Sequence, residues 1–433
     1  MSLQTPPKLR KLQRKLYKKA KDEPEFRFYA LYDKIYREDI LYHGWELVRA
    51  NGGAPGVDGV RLEEIEQRGA TIWLEELRKE LRAGEYKASP VRRVWIPKPG
   101  GGQRPLGIPT VKDRVVQMAT KLVIEPIFEQ DFEDNAYGYR PKRSALDAVK
   151  EVHEALKEGR TDVVDADLSS YFDTIPHNEV MKSVARRISD GSVLKLIKTW
   201  LKAPIIEEDE DGTKRTEPAG EHGTPQGGVI SPLLANLYMN RFLKFWRLQK
   251  LDERLDAQVD NYADDFVILT RGHAEQAHEV TKRVMNKMGL TLNEKKTQIV
   301  DADEKTFGFL GYEFGWEYFR KTGHTYIAAQ PSKTSVSRVK RKISRWLKGA
   351  QTLPWKWLRR KLNQILEGWA NYFSYGTRTL AYRAVDNYVY EQLSNLLAKR
   401  HKTSSSRSRR WTNEVVFGQM GVTRLRDLQL NPV

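Results

Sequence analysis

Carboxylates follow apolar, strand-like runs at two places in the chain. Asp264 and Asp265 lie within residues 261–270, between two short runs with the composition of β-strands. Asp167 ends a second apolar run that begins at Val163. An isolated Asp-Asp pair is usually a solvated turn, but three carboxylates on two strands are suitable ligands for two Mg²⁺ ions. Because a two-metal site supports in-line nucleotidyl transfer, the pattern indicates a polymerase.

The elements that must position these carboxylates can be predicted from the local pattern. We expect a strand over residues 162–167, a helix near 177–203 and a hairpin over 260–270. A Gly/Pro loop opens residues 223–250 and runs into a helix. The acidic run 207–212 is expected to be a solvated hairpin tip. The middle of the chain therefore has an α+β pattern.

A second functional segment precedes this middle region. Residues 91–109 are expected to form two strands joined by a Gly-rich hairpin that carries Lys98 and Arg104. The remaining regular pattern of the first half is helical, over residues 26–50, 61–83 and 113–160, with an interruption at 135–143.

The composition limits the class of protein. The 433 residues include 74 Lys+Arg against 57 Asp+Glu, a net charge of +17, which favours a polyanionic partner. The absence of cysteine excludes disulfides and thiolate zinc sites. No apolar run reaches the roughly 18–20 residues of a membrane span. The basic N-terminus is not followed by an apolar signal core. We expect a cytoplasmic protein that does not bind membranes.

Basic residues cluster in three segments. Residues 1–22 are expected to form either a basic amphipathic helix or a solvated tail, and residues 401–433 a short basic tail. In residues 331–361, Val336, Val339, Ile343 and Leu347 recur at helical spacing, so one face can pack while the other faces phosphates. The candidate nucleic-acid contacts on that face are Arg338, Lys340, Arg341, Lys342, Arg345 and Lys348.

Several motifs in a fixed order resemble the reverse transcriptase–maturase proteins encoded by bacterial group II introns. The resemblance covers roughly residues 45–400. The motifs are Gly56-Val-Asp-Gly59, Ile96-Pro-Lys-Pro99, Leu106-Gly-Ile-Pro-Thr-Val-Lys-Asp-Arg114, Tyr137-Gly-Tyr-Arg-Pro141, the Asp167 segment, Thr224-Pro-Gln-Gly-Gly228, Tyr262-Ala-Asp-Asp265, Leu292-Asn-Glu-Lys-Lys-Thr297, Phe309-Leu-Gly-Tyr312 and Gly368-Trp-Ala-Asn-Tyr-Phe373.

The resemblance implies an α+β, right-hand polymerase fold with an antiparallel palm sheet and a helical thumb that doubles as the maturase domain. The expected divisions are a basic N-terminal extension with helices (1–50), fingers (51–160), palm (161–315), thumb (316–400) and C-terminal tail (401–433). An endonuclease domain of the HNH type, present in many family members, is not expected in the residues after the thumb.

The same resemblance assigns roles around the carboxylates. Asp167, Asp264 and Asp265 would bind two Mg²⁺ ions, with Mn²⁺ as a possible substitute. Asp165 and Asp173 are then expected to be structural. Lys296 is a candidate general acid for the departing pyrophosphate, and its alternative is a solvated lysine.

The incoming dNTP would meet residues from three segments. Lys98 and Arg104 are candidates to hold the triphosphate, with Arg114 as a third cation or, alternatively, a surface charge on a helix. Phe172 is the candidate gate against a 2′-hydroxyl, or else a core phenylalanine. Gln226 would border the nucleotide and the template.

The implied function is an RNA-directed DNA polymerase that also binds group II intron RNA as a splicing and mobility cofactor. Its partners would be an RNA template with a DNA or RNA primer, dNTPs, intron RNA and target DNA. A bacterial, nucleoid- or ribonucleoprotein-associated location is expected. Two alternatives remain open: a maturase acting mainly as an RNA-binding splicing factor, and a domesticated relative with a host role in repair or defence.

Overall fold

The computed structural model describes residues 3–97, 101–208, 211–319, 322–402 and 410–429. The helices are α1 (Pro7–Asp22), α2 (Tyr32–Ile35), α3 (Glu38–Asn51), α4 (Leu62–Arg68), α5 (Ala70–Ala83), α6 (Val111–Phe128), α7 (Ala145–Lys157), α8 (Tyr171–Thr174), α9 (His177–Ala185), α10 (Gly191–Leu201), α11 (Ser231–Leu248), α12 (Leu251–Arg254), α13 (Ala274–Lys287), α14 (Lys333–Leu347), α15 (Trp355–Tyr372) and α16 (Thr379–Arg400). The strands are β1 (Val91–Pro97), β2 (Gln103–Ile108), β3 (Asp162–Asp167), β4 (Ile205–Glu208), β5 (Lys214–Glu217), β6 (Gln258–Tyr262), β7 (Asp265–Thr270), β8 (Gln298–Asp301), β9 (Phe307–Phe309), β10 (Tyr312–Phe319) and β11 (His324–Pro331).

A four-stranded sheet in the order β6-β7-β3-β8 lies at the centre, and its strand pairs are all antiparallel. Val163 and Val164 are both fully buried, which requires cover on both faces because side chains alternate along a strand. Val164 belongs to one hydrophobic core and Val163 to a second. The sheet therefore separates two cores, and the predicted strand, hairpin and antiparallel sheet are confirmed.

The N-terminal helices belong to the first core. Leu9, Leu16 and Ala20 of α1 are buried, while its lysines point outward, and the helix packs on α6 together with α3. This burial follows from apolar residues recurring at helical spacing among charged ones. Between the two expectations for residues 1–22, the helix is therefore correct for Pro7–Asp22.

A second sheet has the order β2-β1-β4-β5. Its β1–β2 and β4–β5 hairpins agree with the sequence prediction, but the parallel pairing of Val91 with Ile205 joins segments more than a hundred residues apart. The predicted palm segment, 161–315, thus contributes strands both to the central sheet and to the sheet that carries Arg104.

The third sheet, in the order β11-β10-β9, leads directly into the helices α14 to α16. Ser332 begins α14 as its N-cap, because its side chain accepts a hydrogen bond from the backbone of Ser335. Val339, Ile343 and Leu347 are buried in the second core, which confirms the predicted apolar stripe. Within the described ranges, no helix combines the length and apolar character needed to cross a bilayer.

Candidate active site

The β6–β7 turn holds two of the three predicted metal ligands. Tyr262 pairs with Asp265, so Ala263 and Asp264 form a two-residue turn. Ala263 has a φ of 62°, a left-handed conformation that a residue with a Cβ adopts only at a cost. The buried side-chain amide of Asn261 donates to the carbonyl of Ala263 at 3.0 Å. This hydrogen bond helps to hold the strained turn in place.

A neighbouring segment fixes the same turn from outside. The backbone N–H of Tyr137 donates to the carbonyl of Asn261 at 2.9 Å. A Cβ on Gly138 would lie 2.5 Å from the backbone nitrogen of Ala263, so only glycine fits there. The amide of Asn236 donates to the carbonyl of Gly138 at 2.6 Å. Tyr137 and Gly138 belong to the Tyr137–Pro141 motif, but no local pattern predicts the positioning roles of Tyr137, Gly138 or Asn236.

Asp167 and Asp265 lie directly opposite each other on β3 and β7. The side chain of Asp265 reaches solvent, yet partial removal of its carboxyl from water raises its pKa to about 6. The charges of Asp264, Asp167 and Asp165 contribute to the same increase. The predicted ligands are therefore close enough to repel one another, a repulsion that a bound cation relieves.

Of the three predicted metal ligands, Asp167 has the most side-chain partners among the described residues. Its Oδ2 lies 2.9 Å from Nζ of Lys296 and accepts a hydrogen bond from Nδ2 of Asn293 at 3.1 Å. The hydrogen bond to Asp167, followed by the charges of Asp167, Asp265 and Asp264, raises the pKa of Lys296. Lys296 is thus ion-paired rather than merely solvated. Asn293 lies inside the Leu292–Thr297 motif, but its hydrogen bond to Asp167 was not predicted from the sequence.

The carboxylates fit divalent cations in donor type and in their position on paired strands. Among the residues that the structure describes, no three His, Cys, Asp or Glu side chains are already arranged to hold a metal ion. The ammonium of Lys296 occupies one side of Asp167. Asp165 instead accepts from the amide of Gln298 at 3.1 Å, as expected for a structural carboxylate.

On the nucleotide side, the structure brings Arg104 and Gln226 together. The guanidinium of Arg104 donates to the side-chain oxygen of Gln226, whose amide donates to Asp173 at 3.3 Å. The backbone N–H of Gly107 donates to the carbonyl of Gln226 at 2.7 Å, which ties the β1–β2 hairpin to the Gly/Pro loop. Lys98 lies outside the described residues.

Phe172 and Arg114 are both buried. Phe172 is 5% exposed, contacts Tyr171 edge to face, and its carbonyl accepts from the backbone of Thr224 at 2.7 Å. This burial agrees with a core position, and its role as a gate stays a prediction. Arg114 is 7% exposed and donates to the carbonyls of Gly52 at 3.2 Å and Ala54 at 3.0 Å.

The buried position of Arg114 overturns one of its two interpretations. A surface charge on a helix is wrong, because the guanidinium is turned inward to bind the loop after α3. Burial lowers its pKa, and the charge of Asp58 opposes this effect. Its contact with a triphosphate stays a prediction.

A cavity of about 550 Å³ extends from Asp265, beside the β6–β7 turn, to the basic helix α14. Its lining includes Asp265, Leu310, Gly311, Tyr372, Arg338 and Lys342. The predicted nucleic-acid contacts form no ion pair with another described residue, and all except Lys340 are exposed. Five lie on α14 and the sixth, Lys348, follows its last residue; the five are Arg338, Lys340, Arg341, Lys342 and Arg345. Lys340 lies over the ring of Tyr388 at 5.4 Å. Unpaired cations bordering a groove are available to phosphates.

Two family models match the chain. The model described as Reverse transcriptase (RNA-dependent DNA polymerase) matches residues 96–314, about half of the chain, and includes the three carboxylates. The model described as Group II intron, maturase-specific domain matches residues 336–414, which include α15 and α16.

Individual proteins are also similar to this chain. Protein YkfC of Escherichia coli is 37% identical over 338 residues, covering 70% of this chain and 87% of that protein. The group II intron-encoded protein LtrA of Lactococcus lactis is 28% identical over 348 residues, covering 66% of this chain and 56% of LtrA. This chain thus spans about half the length of LtrA. A solved telomerase from Candida albicans aligns with a TM-score of 0.43 and 12% identity, over 83% of this chain and 71% of that one.

Proposed function

The chain belongs to the reverse transcriptase–maturase family of group II introns, and on that premise we propose that it copies RNA into cDNA with Asp167, Asp264 and Asp265 as its metal ligands. The observation that carries this proposal is the pairing of Asp167 opposite Asp265, beside Asp264 in the turn. Carboxylates from paired strands are fixed relative to one another, which suits a reaction that depends on positioning.

The chemistry divides between cations and side chains. Bound Mg²⁺ would supply a lowered pKa for the primer 3′-hydroxyl and charge stabilisation for the triphosphate. Asp167, Asp264 and Asp265 hold these ions. Lys296 is protonated next to Asp167, so its Nζ can pass a proton to the leaving pyrophosphate.

The nucleotide would bind between the second sheet and the Gly/Pro loop. Arg104 is exposed and presents a planar fork that suits phosphate oxygens. We propose the same role for Lys98, which lies outside the described residues. Gln226, bonded to both Arg104 and Asp173, would hold the loop against the nascent base pair. Phe172 would limit space at the sugar, and Arg114 would support the site from the loop at Gly52.

The helical region after β11 is proposed to bind RNA. The maturase-specific match covers residues 336–414, and α14 presents unpaired cations beside the cavity that reaches Asp265. We propose fingers over 51–160, palm over 161–315 and thumb over 316–400, with β4 and β5 of the palm segment completing the fingers sheet. The partners would be primed RNA, dNTPs, intron RNA and target DNA, at the nucleoid or in a ribonucleoprotein.

Primer extension tests the proposal. The wild-type protein and an Asp264→Ala variant are incubated with a primed RNA template, dNTPs and Mg²⁺, and RNA binding is measured for both. We expect extension by the wild type alone, with equal RNA binding. Absence of extension by either protein, with tight RNA binding retained, would contradict the polymerase and favour a splicing factor that only binds RNA.

A further inference from the structure

The β9–β10 turn has an unfavourable backbone at its first position. Phe309 pairs with Tyr312, so Leu310 and Gly311 are the two residues of the turn. Their φ angles are 49° and 81°, the signs that a type I′ turn requires. Asn or Gly ordinarily occupies the first position of such a turn, because a branched apolar side chain disfavours the left-handed region. Leu310 therefore depends on its surroundings to keep this conformation.

Three hydrogen bonds from the end of α15 and the start of α14 hold the Leu310–Gly311 turn. The hydroxyl of Tyr372, at the end of α15, donates to the carbonyl of Leu310 at 2.8 Å. At the start of α14, the hydroxyl of Ser335 and the backbone N–H of Ser332 donate to the carbonyl of Gly311 at 2.9 and 3.0 Å. Both carbonyls of the turn are thus bonded from the start of α14 and the end of α15 rather than by the strands of the sheet.

Tyr372 is also tied to the turn in the reverse direction. The hydroxyl of Tyr312, the residue after the turn, donates to the backbone carbonyl of Tyr372 at 3.0 Å. The end of α15 and the turn are therefore joined by two hydrogen bonds of opposite sense. The end of α15 cannot shift relative to the turn without breaking at least one of these two hydrogen bonds.

The turn lies at the catalytic centre. Leu310, Gly311, Tyr372 and Asp265 line one cavity, and Arg338 of α14 lines it as well. Burial raises the pKa of Tyr372 to about 12, and the charges of Tyr262 and Asp265 add to the increase. The phenol thus stays protonated and remains a donor to Leu310 near the carboxylates.

We propose that Tyr372 is a positioning residue for DNA synthesis, which holds the Leu310–Gly311 turn in the shape that aligns the primer end with Asp265. The proposal rests on the polymerase function proposed above. It also makes the alignment of the primer dependent on the helices α14 and α15, since Ser335 and Tyr372 hold the two carbonyls of one turn. RNA bound along α14 would therefore affect synthesis through this turn.

The test replaces the phenol hydroxyl alone. Tyr372→Phe keeps the ring and removes the hydrogen bond to Leu310. The matched control is Tyr390→Phe on α16, whose hydroxyl donates to the carbonyl of Trp411 at 2.8 Å. For each full-length variant, kcat and KM for dNTP, the Kd for primed RNA and Tm are measured.

We expect Tyr372→Phe to lower kcat by about three- to tenfold, the rate equivalent of one hydrogen bond, with the Kd for primed RNA within about twofold of wild type. Tyr390→Phe is expected to lower Tm but to leave kcat unchanged. Leu310→Asn, which suits the left-handed position, should restore kcat in the Tyr372→Phe background to the level of Leu310→Asn alone.

Three results would overturn the inference. They are full activity of Tyr372→Phe, an equal loss of kcat in the Tyr390→Phe control, and failure of Leu310→Asn to rescue. A wild-type protein that extends no primer would instead overturn the proposed polymerase function, and the inference with it. The activity of the wild-type protein therefore distinguishes the two failures.

Discussion

The ammonium of Lys296 lies 2.9 Å from a carboxylate oxygen of Asp167, the residue that pairs across the sheet with Asp265. A lysine in this position competes with a cation for the same oxygen. In the proposed reaction it would approach the triphosphate once the carboxylate binds metal. The pair therefore links metal binding to the candidate general acid.

Replacing Lys296 by Met should separate these two effects. Loss of a general acid is expected to lower kcat by about 10²- to 10⁴-fold. Loss of the competing ammonium should at the same time lower the Mg²⁺ concentration needed for half-maximal activity. Single-turnover extension across a Mg²⁺ titration measures both quantities. Lys295→Met, at the exposed neighbouring position, is the control, and an equal loss of rate there would contradict a special role for Lys296.

Replacing both Asp264 and Asp265 by Asn should abolish synthesis. Metal-ion charge stabilisation is worth several kcal/mol, so a rate loss of at least about a thousandfold is expected. Binding of primed RNA should stay within about twofold, because the unpaired cations lie on α14. Asp165→Asn is the matched control, since Asp165 lies on the same sheet but is bonded to Gln298, and it should retain most activity. A steep fall in RNA binding by the double variant would contradict the separation of the two sites.

Asp265 should make stability depend on pH and on Mg²⁺. Its pKa is 3.8 ordinarily and about 6 in the folded protein, so the folded state binds the proton more tightly. The contribution of Asp265 to stability is fully present below about pH 4 and is lost as the pH rises through about 6. Without metal, Tm should fall across this interval, and the increase in Tm caused by Mg²⁺ should be larger at pH 7.5 than at pH 5.

Calorimetry with and without Mg²⁺ measures these shifts. Asp265→Asn should remove most of the Mg²⁺ effect and flatten the pH dependence of Tm. The pH dependence that remains is expected from Asp260, because burial raises its pKa to about 7. A Mg²⁺ effect in wild type that is equal at both pH values would contradict binding at Asp265.

The local parts of the site were predictable from sequence, and the long-range parts were not. The strand ending at Asp167 and the hairpin around Asp264 follow from apolar runs that stop at carboxylates, and both agree with the structure. The contacts of Arg114 with Gly52 and Ala54 cross some sixty residues of chain and leave no local pattern.

Side-chain hydrogen bonds across the site could not be predicted from the sequence either. The bond from Asn293 to Asp167 spans 126 residues, and only the folded sheet brings the two together. The pairing of β1 with β4 likewise joins separate segments by two residue pairs, too few to produce a sequence signal. The order of the motifs indicated which segments meet in the site. It did not indicate which side chains are hydrogen-bonded to each other, because those contacts form only in the folded protein.

The cations of α14 should account for part of the salt dependence of RNA binding. Replacing Arg338 and Lys342 by Gln removes the two that line the cavity with Asp265. If each contacts one phosphate, the slope of log K against log salt should decrease in magnitude by about 0.7 per contact on single-stranded RNA. Binding titrations at several KCl concentrations measure the slope. Lys195 and Lys198, exposed on α10, provide a control of equal charge, and an equal change there would indicate a general effect of net charge.

Gly138 should be intolerant of even one additional methyl group. A Cβ there would meet the backbone nitrogen of Ala263 at 2.5 Å and the carbonyl carbon of Tyr262 at 3.1 Å, so Gly138→Ala must displace the β6–β7 turn or the segment beside it. Because a displacement of about 1 Å can cost about a hundredfold in rate, we expect at least that loss in kcat. Gly191→Ala is the matched control, since its Cβ would meet no atom within 4 Å. Primer extension and Tm are measured for both, and a Gly138→Ala enzyme with wild-type kcat would show that the position of the turn is not critical.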